Sequence, residues 1–190
     1  MKQTDLDPRL QLAPPGDRAG LLLFLLVGVL PVALVAASVG LQAVDGTGGT
    51  GTLLLAMAIT APAVLALWWV LRVFMHRRAL HASIDALDVR SSFYRCHVAL
   101  SALDLEQARV VNLDEHPELR PLLKTNGFSL PGFRSGWFRL RNRRRCFVAM
   151  AAGPRVLWLP TDAHDLLLEP RDPAALLSHL RRLATPGARA

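Results

Sequence analysis

Two apolar stretches near the start of the chain decide its architecture. They read GLLLFLLVGVLPVALVAASVGLQAV, residues Gly20–Val44, and TLLLAMAITAPAVLALWWVL, residues Thr52–Leu71. Neither stretch contains Asp, Glu, Lys or Arg. A helix needs about 20 apolar residues to cross the hydrocarbon core of a bilayer, and both stretches reach that length. The sequence therefore predicts a transmembrane hairpin over residues 19–76, with spans at about 20–44 and 52–72.

The charges that flank these stretches predict how the hairpin is oriented. Arg18 precedes the first span, and basic residues follow the second span at Arg72, Arg77 and Arg78. The Gly/Thr loop between the spans has Asp45 as its only charged residue. Short basic segments stay in the cytoplasm. We therefore expect a multi-pass protein of the bacterial inner (plasma) membrane with both termini in the cytoplasm.

The residues before the first span contain Pro14-Pro15-Gly16 and charges of both signs. This composition predicts a disordered cytoplasmic tail over residues 1–18. A cleaved signal peptide is the alternative for the first span, because Ala36, Ala37 and Ser38 resemble a cleavage site. The apolar stretch is much longer than the 7–15 residues or so of a signal-peptide core, which favours a retained span.

From about residue 80 onward, short apolar runs of period two replace the continuous apolar stretches, as is typical of β-strands. Turn residues separate the runs. The pattern predicts about seven strands, at Ala82–Val89, Phe93–Leu100, Arg109–Leu113, Trp137–Arg141, Arg145–Met150, Arg155–Leu159 and His164–Leu168. The segment from Asp114 to Gly132 is the longest without such a pattern, and we expect it to be a ligand or partner loop.

The end of the chain predicts an amphipathic helix. Asp172 suits the N-cap and Pro173 the first helical position. The apolar stripe of this helix consists of Leu176, Leu177, Leu180 and Leu183. Strands followed by one such helix indicate an α+β domain in which the helix caps a strongly bent sheet. Cys96 and Cys146 lie on predicted strands, where lone cysteines are typically small buried hydrophobes, so we expect both thiols to be reduced.

A family resemblance accompanies these patterns. The stretch KTNGFSLPGFRSGWFRL (Lys124–Leu140), the hairpin after it and the helix start EPRDP (Glu169–Pro173) resemble a bacterial PH-domain family. In that family a membrane hairpin often precedes a PH-like β-barrel. The resemblance covers about residues 80–185 and implies a cytoplasmic, PH-like seven-strand β-barrel or sandwich capped by a C-terminal helix. The chain departs from the family at the turn 142–144, where Asn-Arg-Arg replaces the expected Asn-Gly.

One cluster of charge suggests a binding surface. The chain has a net charge of +7, and six arginines crowd one hairpin: Arg134, Arg139, Arg141, Arg143, Arg144 and Arg145. Close to a membrane, such residues bind anionic headgroups with about 1 kcal/mol per basic side chain. The alternative is a solvated hairpin whose charges protect a sheet edge from aggregation. Few aromatic residues interleave the cluster, which argues against nucleic acid.

The sequence contains no recognisable catalytic constellation. The six histidines lack the short spacing of a metal site, and there is no nucleophile motif of the G-x-S-x-G type. Neither span contains an acidic or basic residue for a transport relay. We therefore expect no enzyme activity, metal or cofactor. The prediction is a binding or scaffold module for a partner protein, for its own copies or for anionic headgroups, the alternative being an accessory subunit of a membrane enzyme complex.

Overall fold

The computed structural model describes residues 7–44, 50–151 and 153–185. The chain divides into two compact units, a helical unit of Asp17–Phe74 and a strand-rich unit of Met1–Gly16 together with Met75–Ala190. The predicted Gly/Thr loop lies largely outside the described residues, since 45–49 are among those left out. The α+β class is confirmed.

The helical unit contains two long apolar helices. The first consists of α1 (Asp17–Leu23), a π-helical segment (Phe24–Val29) and α2 (Leu30–Val44), and the second is α3 (Thr50–His76). The parts Asp17–Gln42 and Leu54–His76 have mean hydropathies of 2.7 and 2.2 and could cross a membrane by length and composition. None of the apolar window in the second helix is buried within the protein. The exposed apolar surface is what a lipid-facing helix presents.

Contacts between the two helices show that they run antiparallel. The rings of Phe24 and Trp68 meet edge to face at 5.5 Å between centroids. One turn away, a Cβ atom at Gly20 would lie 3.2 Å from the Arg72 guanidinium. Residue numbers in the first helix therefore rise where those in the second helix fall, which is the antiparallel arrangement of the predicted hairpin.

The two prolines of the spans have different effects. Pro31 has no N–H group, and the π-helical segment lies directly before it. There the Leu30 N–H donates to the carbonyl of Leu25, five residues back. A π-helical turn of this kind is one way for a helix to accommodate a break in its hydrogen-bond ladder. The second helix continues through Pro62 without a change of helix type.

The strand-rich unit has nine strands in two sheets within the described residues. A three-stranded antiparallel sheet contains β1 (Arg78–Ala82), β2 (Ala86–Ser91) and β3 (Tyr94–Ala99). A six-stranded sheet has the order β4-β8-β9-β7-β6-β5. Its strands are β4 (Arg109–Asn112), β5 (Pro121–Leu130), β6 (Phe133–Leu140), β7 (Arg145–Met150), β8 (Arg155–Leu159) and β9 (Asp165–Leu168). Two short 3₁₀ helices (Leu100–Ala102 and Pro117–Leu119) lie between strands, and α4 (Pro173–Ala184) follows them.

The predicted count of seven strands is wrong in two places. The run Ala82–Val89 was predicted as one strand, but it contains the end of β1, a turn and most of β2. The strands β1 and β2 pair with each other. The supposed irregular segment Asp114–Gly132 contains the ten-residue strand β5. This strand lacks the alternating apolar pattern because it is an edge strand, exposed over most of its length. The parallel pairing of β7 with β9 is a further difference from a simple antiparallel barrel.

The core lies on both faces of the six-stranded sheet. One face packs on the three-stranded sheet and on α4. This cluster includes Leu80, Leu87, Val98, Phe147, Leu157, Leu166, Leu176 and Leu180. The other face carries a second cluster with Val111, Phe138, Leu140, Val148 and Leu167. Helix α4 therefore covers the core as predicted, and the Asp172 carboxylate accepts the Ala175 N–H at 2.9 Å as its N-cap.

Both cysteines are buried and free, which confirms the prediction. They lie in different clusters, Cys96 in the first and Cys146 in the second. Burial raises the pKa of Cys96 to about 11. The pKa of Cys146 is raised well above its ordinary value, again mainly by burial.

The predicted disordered tail of residues 1–18 is wrong for the part that the structure describes. Leu10 and Leu12 are buried in the first core cluster. The Gln11 side chain acts as a strand partner for Leu80, because Oε1 accepts the Leu80 N–H at 3.0 Å and Nε2 donates to its carbonyl at 3.2 Å. We call Arg9–Ala13 the N-terminal strap. The strap was not predicted because its apolar pattern is only three residues long and lies next to charged residues and prolines. Such a sequence is typical of a solvated tail.

The strap is also fixed to the segment after β9. The Ala13 N–H donates to the Glu169 carbonyl at 2.8 Å, and the Ala13 carbonyl accepts from Arg78. Burial lowers the pKa of Arg78 to about 10, partly offset by Glu169. Burial also raises the pKa of Glu169, although its carboxylate accepts the N–H groups of Ala151 at 2.6 Å and Gly153 at 3.0 Å. The strap is therefore part of the folded unit.

Candidate functional site

The predicted arginine hairpin exists as β6, β7 and the turn between them. The Arg143 N–H donates to the Leu140 carbonyl at 2.9 Å, and the Leu140 N–H donates to the Arg144 carbonyl at 2.9 Å. Arg143 has a φ of 68°, in the left-handed region that favours glycine. The departure from Asn-Gly noted in the sequence therefore places an arginine where a glycine would be less strained.

The six arginines of this segment do not form one uniform set. Arg139, Arg141 and Arg143 are exposed, and their side chains have no ion pair, hydrogen bond or ring contact within the described ranges. Arg145 lies over the Trp137 ring at 4.3 Å. Arg134 is half-buried at the wall of a cleft. The first three are thus the ones available to an external anion.

Arg144 has a structural role. Its Nη2 lies 2.9 Å from Oδ1 of Asp165, which is fully buried, and also donates to the Thr161 carbonyl at 2.6 Å. No described residue makes an aligned hydrogen bond to the Asp165 carboxylate, so the Arg144 guanidinium is its electrostatic partner there. Removal of Arg144 would leave a buried charge uncompensated, which is strongly destabilising.

Two exposed leucines lie beside the free arginines. In the β5–β6 ladder, Leu123 is opposite Arg139, and the Arg141 N–H donates to the Arg120 carbonyl at 3.1 Å. Leu122 and Leu123 are 69% and 59% exposed, the largest values for large hydrophobic residues in the strand-rich unit as described. Neither leucine was predicted as a surface residue from the sequence, because the segment that contains them lacks an alternating pattern and was assigned to a loop. The adjacent pair Leu-Leu before Lys124 was the available signal.

We define the arginine–leucine surface as Leu122, Leu123, Arg139, Arg141 and Arg143. Its charges are all positive. On the neighbouring strand, Arg139 is directly opposite Arg145. Like charges in such a cross-strand pair destabilise a sheet, so an anion bound between them would relieve repulsion.

A cleft of about 680 Å³ lies elsewhere in the strand-rich unit, with Arg120, Arg134 and Phe133 among its lining residues. Its size is in the range of small-molecule sites. Arg120 is already engaged, since its Nε donates to the Leu113 carbonyl at 2.7 Å and its Nη2 to Asp114 at 2.5 Å. Ser129 and Asp114 also line the cleft, and Asp114 is the partner of Arg120.

A cysteine–histidine contact joins two residues that are far apart in the sequence. Cys96 Sγ lies 3.6 Å from His164 Nε2, and the His164 ring meets Trp137 edge to face at 5.1 Å. Burial raises the pKa of the Cys96 thiol and lowers the pKa of His164. Both groups are therefore held neutral, and the thiol is not the thiolate that a nucleophile requires. Within residues 7–44, 50–151 and 153–185, no group of three or more His, Cys, Asp or Glu side chains could hold a metal ion.

Comparison with known proteins gives no match. No family model fits the sequence, and neither curated proteins nor solved structures include a significantly similar chain.

Proposed function

We propose that this chain is a membrane-anchored, non-enzymatic binding module of the bacterial PH-like kind, whose arginine–leucine surface contacts anionic lipid headgroups. The observation that carries the proposal is the exposure of Arg139, Arg141 and Arg143 without acidic partners. A surface with this charge attracts an anionic leaflet by about 1 kcal/mol per basic residue.

The short connection between helix α3 and strand β1 supports a lipid ligand. Helix α3 ends at His76 and β1 begins at Arg78, so a single residue separates them. One residue spans at most about 3.6 Å. The covalent tether therefore keeps the domain close to headgroups at a high effective concentration, and weak contacts with lipid suffice.

The N-terminal strap supports the proposed topology. The strap precedes the first apolar helix and packs on strands that follow the second. If both helices cross the bilayer, both flanks lie on one side, in agreement with an even number of crossings. The arginines of the flanks favour the cytoplasmic side of a bacterial inner membrane.

The test measures lipid retention by the full chain. The protein is released from mixed micelles of phosphatidylglycerol and phosphatidylcholine, and bound lipids are counted by native mass spectrometry. The triple variant Arg139→Gln, Arg141→Gln, Arg143→Gln should retain less phosphatidylglycerol and unchanged phosphatidylcholine. Retention by the wild type should weaken at 1 M salt, where the Debye length is about 3 Å.

A matched control removes the same charge elsewhere. Arg155, Arg171 and Arg182 are exposed and lie outside the arginine–leucine surface. Their triple replacement by Gln should leave phosphatidylglycerol retention close to that of the wild type. Equal retention by the two triple variants would refute headgroup binding at the hairpin.

A further inference from the structure

Strand β5 carries two extra residues relative to its partner β6. Pro121 is opposite Leu140 and Leu123 is opposite Arg139, which leaves Leu122 without a partner position. A second irregularity leaves Thr125 unpaired between Lys124 and Asn126. Such bulges re-aim side chains. In a regular strand, successive side chains point to opposite faces, whereas here both Leu122 and Leu123 are exposed.

These bulges disfavour one class of partner. A strand of another protein, or of a second copy, would need a regular row of backbone groups at the free edge of β5. Bulges interrupt such a row and are a common protection of edge strands against pairing. The positive charges of Lys124 and Arg139 also oppose a second copy of the same edge. The exposed leucines are therefore available through their side chains rather than through their backbone.

The composition of the surface fits an anionic bilayer. Apolar side chains surrounded by basic ones are characteristic of elements that lie in the membrane interface, where the apolar part enters the acyl boundary and the charges meet headgroups. Arg139 supplies the charge directly beside Leu123. An isolated headgroup or free phosphate would use the arginines but would leave the leucines in water.

We propose that Leu122 and Leu123 insert into the acyl boundary of an anionic bilayer while Arg139, Arg141 and Arg143 bind the headgroups. This inference rests on the proposed function and adds a hydrophobic contact to it. Binding then depends on the acyl region of the bilayer as well as on the negative charge of the phosphate groups.

The experiment places an environment-sensitive fluorophore on the surface. Leu122→Cys or Leu123→Cys is labelled with a nitrobenzoxadiazole maleimide in the full chain, since Cys96 and Cys146 are buried. The unsubstituted chain measures background labelling. Ser178→Cys is the matched control, because Ser178 is exposed on α4, and α4 packs on β4 and β8, at the opposite edge of the sheet from β5.

In nanodiscs that contain phosphatidylglycerol, the label at 122 or 123 should shift to the blue and brighten, and lipids with a spin label on the acyl chain should quench it. The label at 178 should not respond. Nanodiscs of phosphatidylcholine alone, and the Arg139, Arg141, Arg143 triple Gln variant in anionic nanodiscs, should each reduce the shift.

Four results would overturn the inference. An unshifted label at 122 and 123 with normal phosphatidylglycerol retention would leave headgroup binding intact and exclude insertion. Equal shifts at 178 and 123 would indicate general proximity to lipid. A shift that depends on protein concentration in zwitterionic micelles would indicate contact between copies. Loss of both lipid retention and the shift would refute the proposed function as well.

Discussion

Replacement of Leu12 by Ala tests whether the N-terminal strap belongs to the folded unit. Leu12 is 5% exposed and packs in the core cluster that also contains Cys96. It forms an isolated β-bridge with Pro170. A free tail would tolerate this change without any effect on the domain, whereas a strap that covers the core would not.

The size of the effect follows from the burial of Leu12. Replacement of a buried Leu by Ala costs about 2–5 kcal/mol. The strap lies at the edge of the core and can collapse in part, so we expect the lower part of that range, roughly 2–3 kcal/mol. Because 1.4 kcal/mol is a factor of ten, the open population should rise about 30- to 150-fold.

The assay measures the accessibility of the buried thiols in the full chain in detergent. When the domain closes faster than the reagent reacts, the labelling rate is proportional to the open population. Labelling of Cys96 and Cys146 should accelerate by the same factor if the whole domain opens. Acceleration at Cys96 alone would indicate local detachment of the strap from the first cluster.

The control is the same substitution at an exposed leucine. Leu123→Ala removes an exposed leucine from the same unit. A surface substitution of this kind usually changes stability by no more than about 0.5 kcal/mol. If Leu12→Ala changes neither labelling rate beyond the range seen for Leu123→Ala, the strap does not contribute to the fold, and our account of it is wrong.

Two further predictions concern the arginine hairpin and its neighbourhood. Arg143→Gly should slow thiol labelling about two- to fivefold. A left-handed conformation costs an ordinary residue about 1–2 kcal/mol, and the larger conformational entropy that glycine loses on folding offsets part of the gain from removing this cost. Arg141→Gly is the control and should not slow labelling, because φ at Arg141 is not positive. Burial lowers the pKa of His164 in the folded chain from its ordinary value of 6.5. When the pH falls below 6.5, the unfolded chain therefore binds more protons than the folded chain, and the free energy of unfolding decreases as the pH falls. His164→Gln should reduce this slope in thermal unfolding followed by circular dichroism, and an unchanged slope would contradict the assignment to His164.

Features that depend on local sequence were predictable. The apolar spans need only length and composition, and α4 is defined by Asp172, Pro173 and a leucine stripe of helical period. The turn after β6 and the inward placement of Cys96 also follow from neighbouring residues. Each of these signals is contained within one element and does not depend on its partners.

Features that depend on pairing were not predictable. Strand β5 is held by its ladder with β6 rather than by an apolar face, and its exposed leucines gave no strand pattern. The contact of Cys96 with His164 links positions 68 apart in sequence. The role of Arg144 depends on its ion pair with Asp165, which lies on a different strand. In the arginine–leucine surface, the arginines were therefore recognised from local charge, whereas Leu122 and Leu123 required the register of β5.

The N-terminal strap links the order of synthesis to the folding of the domain. Leu12 leaves the ribosome well before its partner Pro170, which lies 158 residues further along the chain (170 minus 12). At a synthesis rate of about 5–20 residues per second, roughly 8 to 30 seconds pass between the synthesis of the strap and the synthesis of Pro170. Both apolar helices are translated within that interval. If both helices cross a bilayer, a chain that inserted only one of them would hold the strap and its binding partners on opposite sides. The domain could then be completed only after both helices had been inserted.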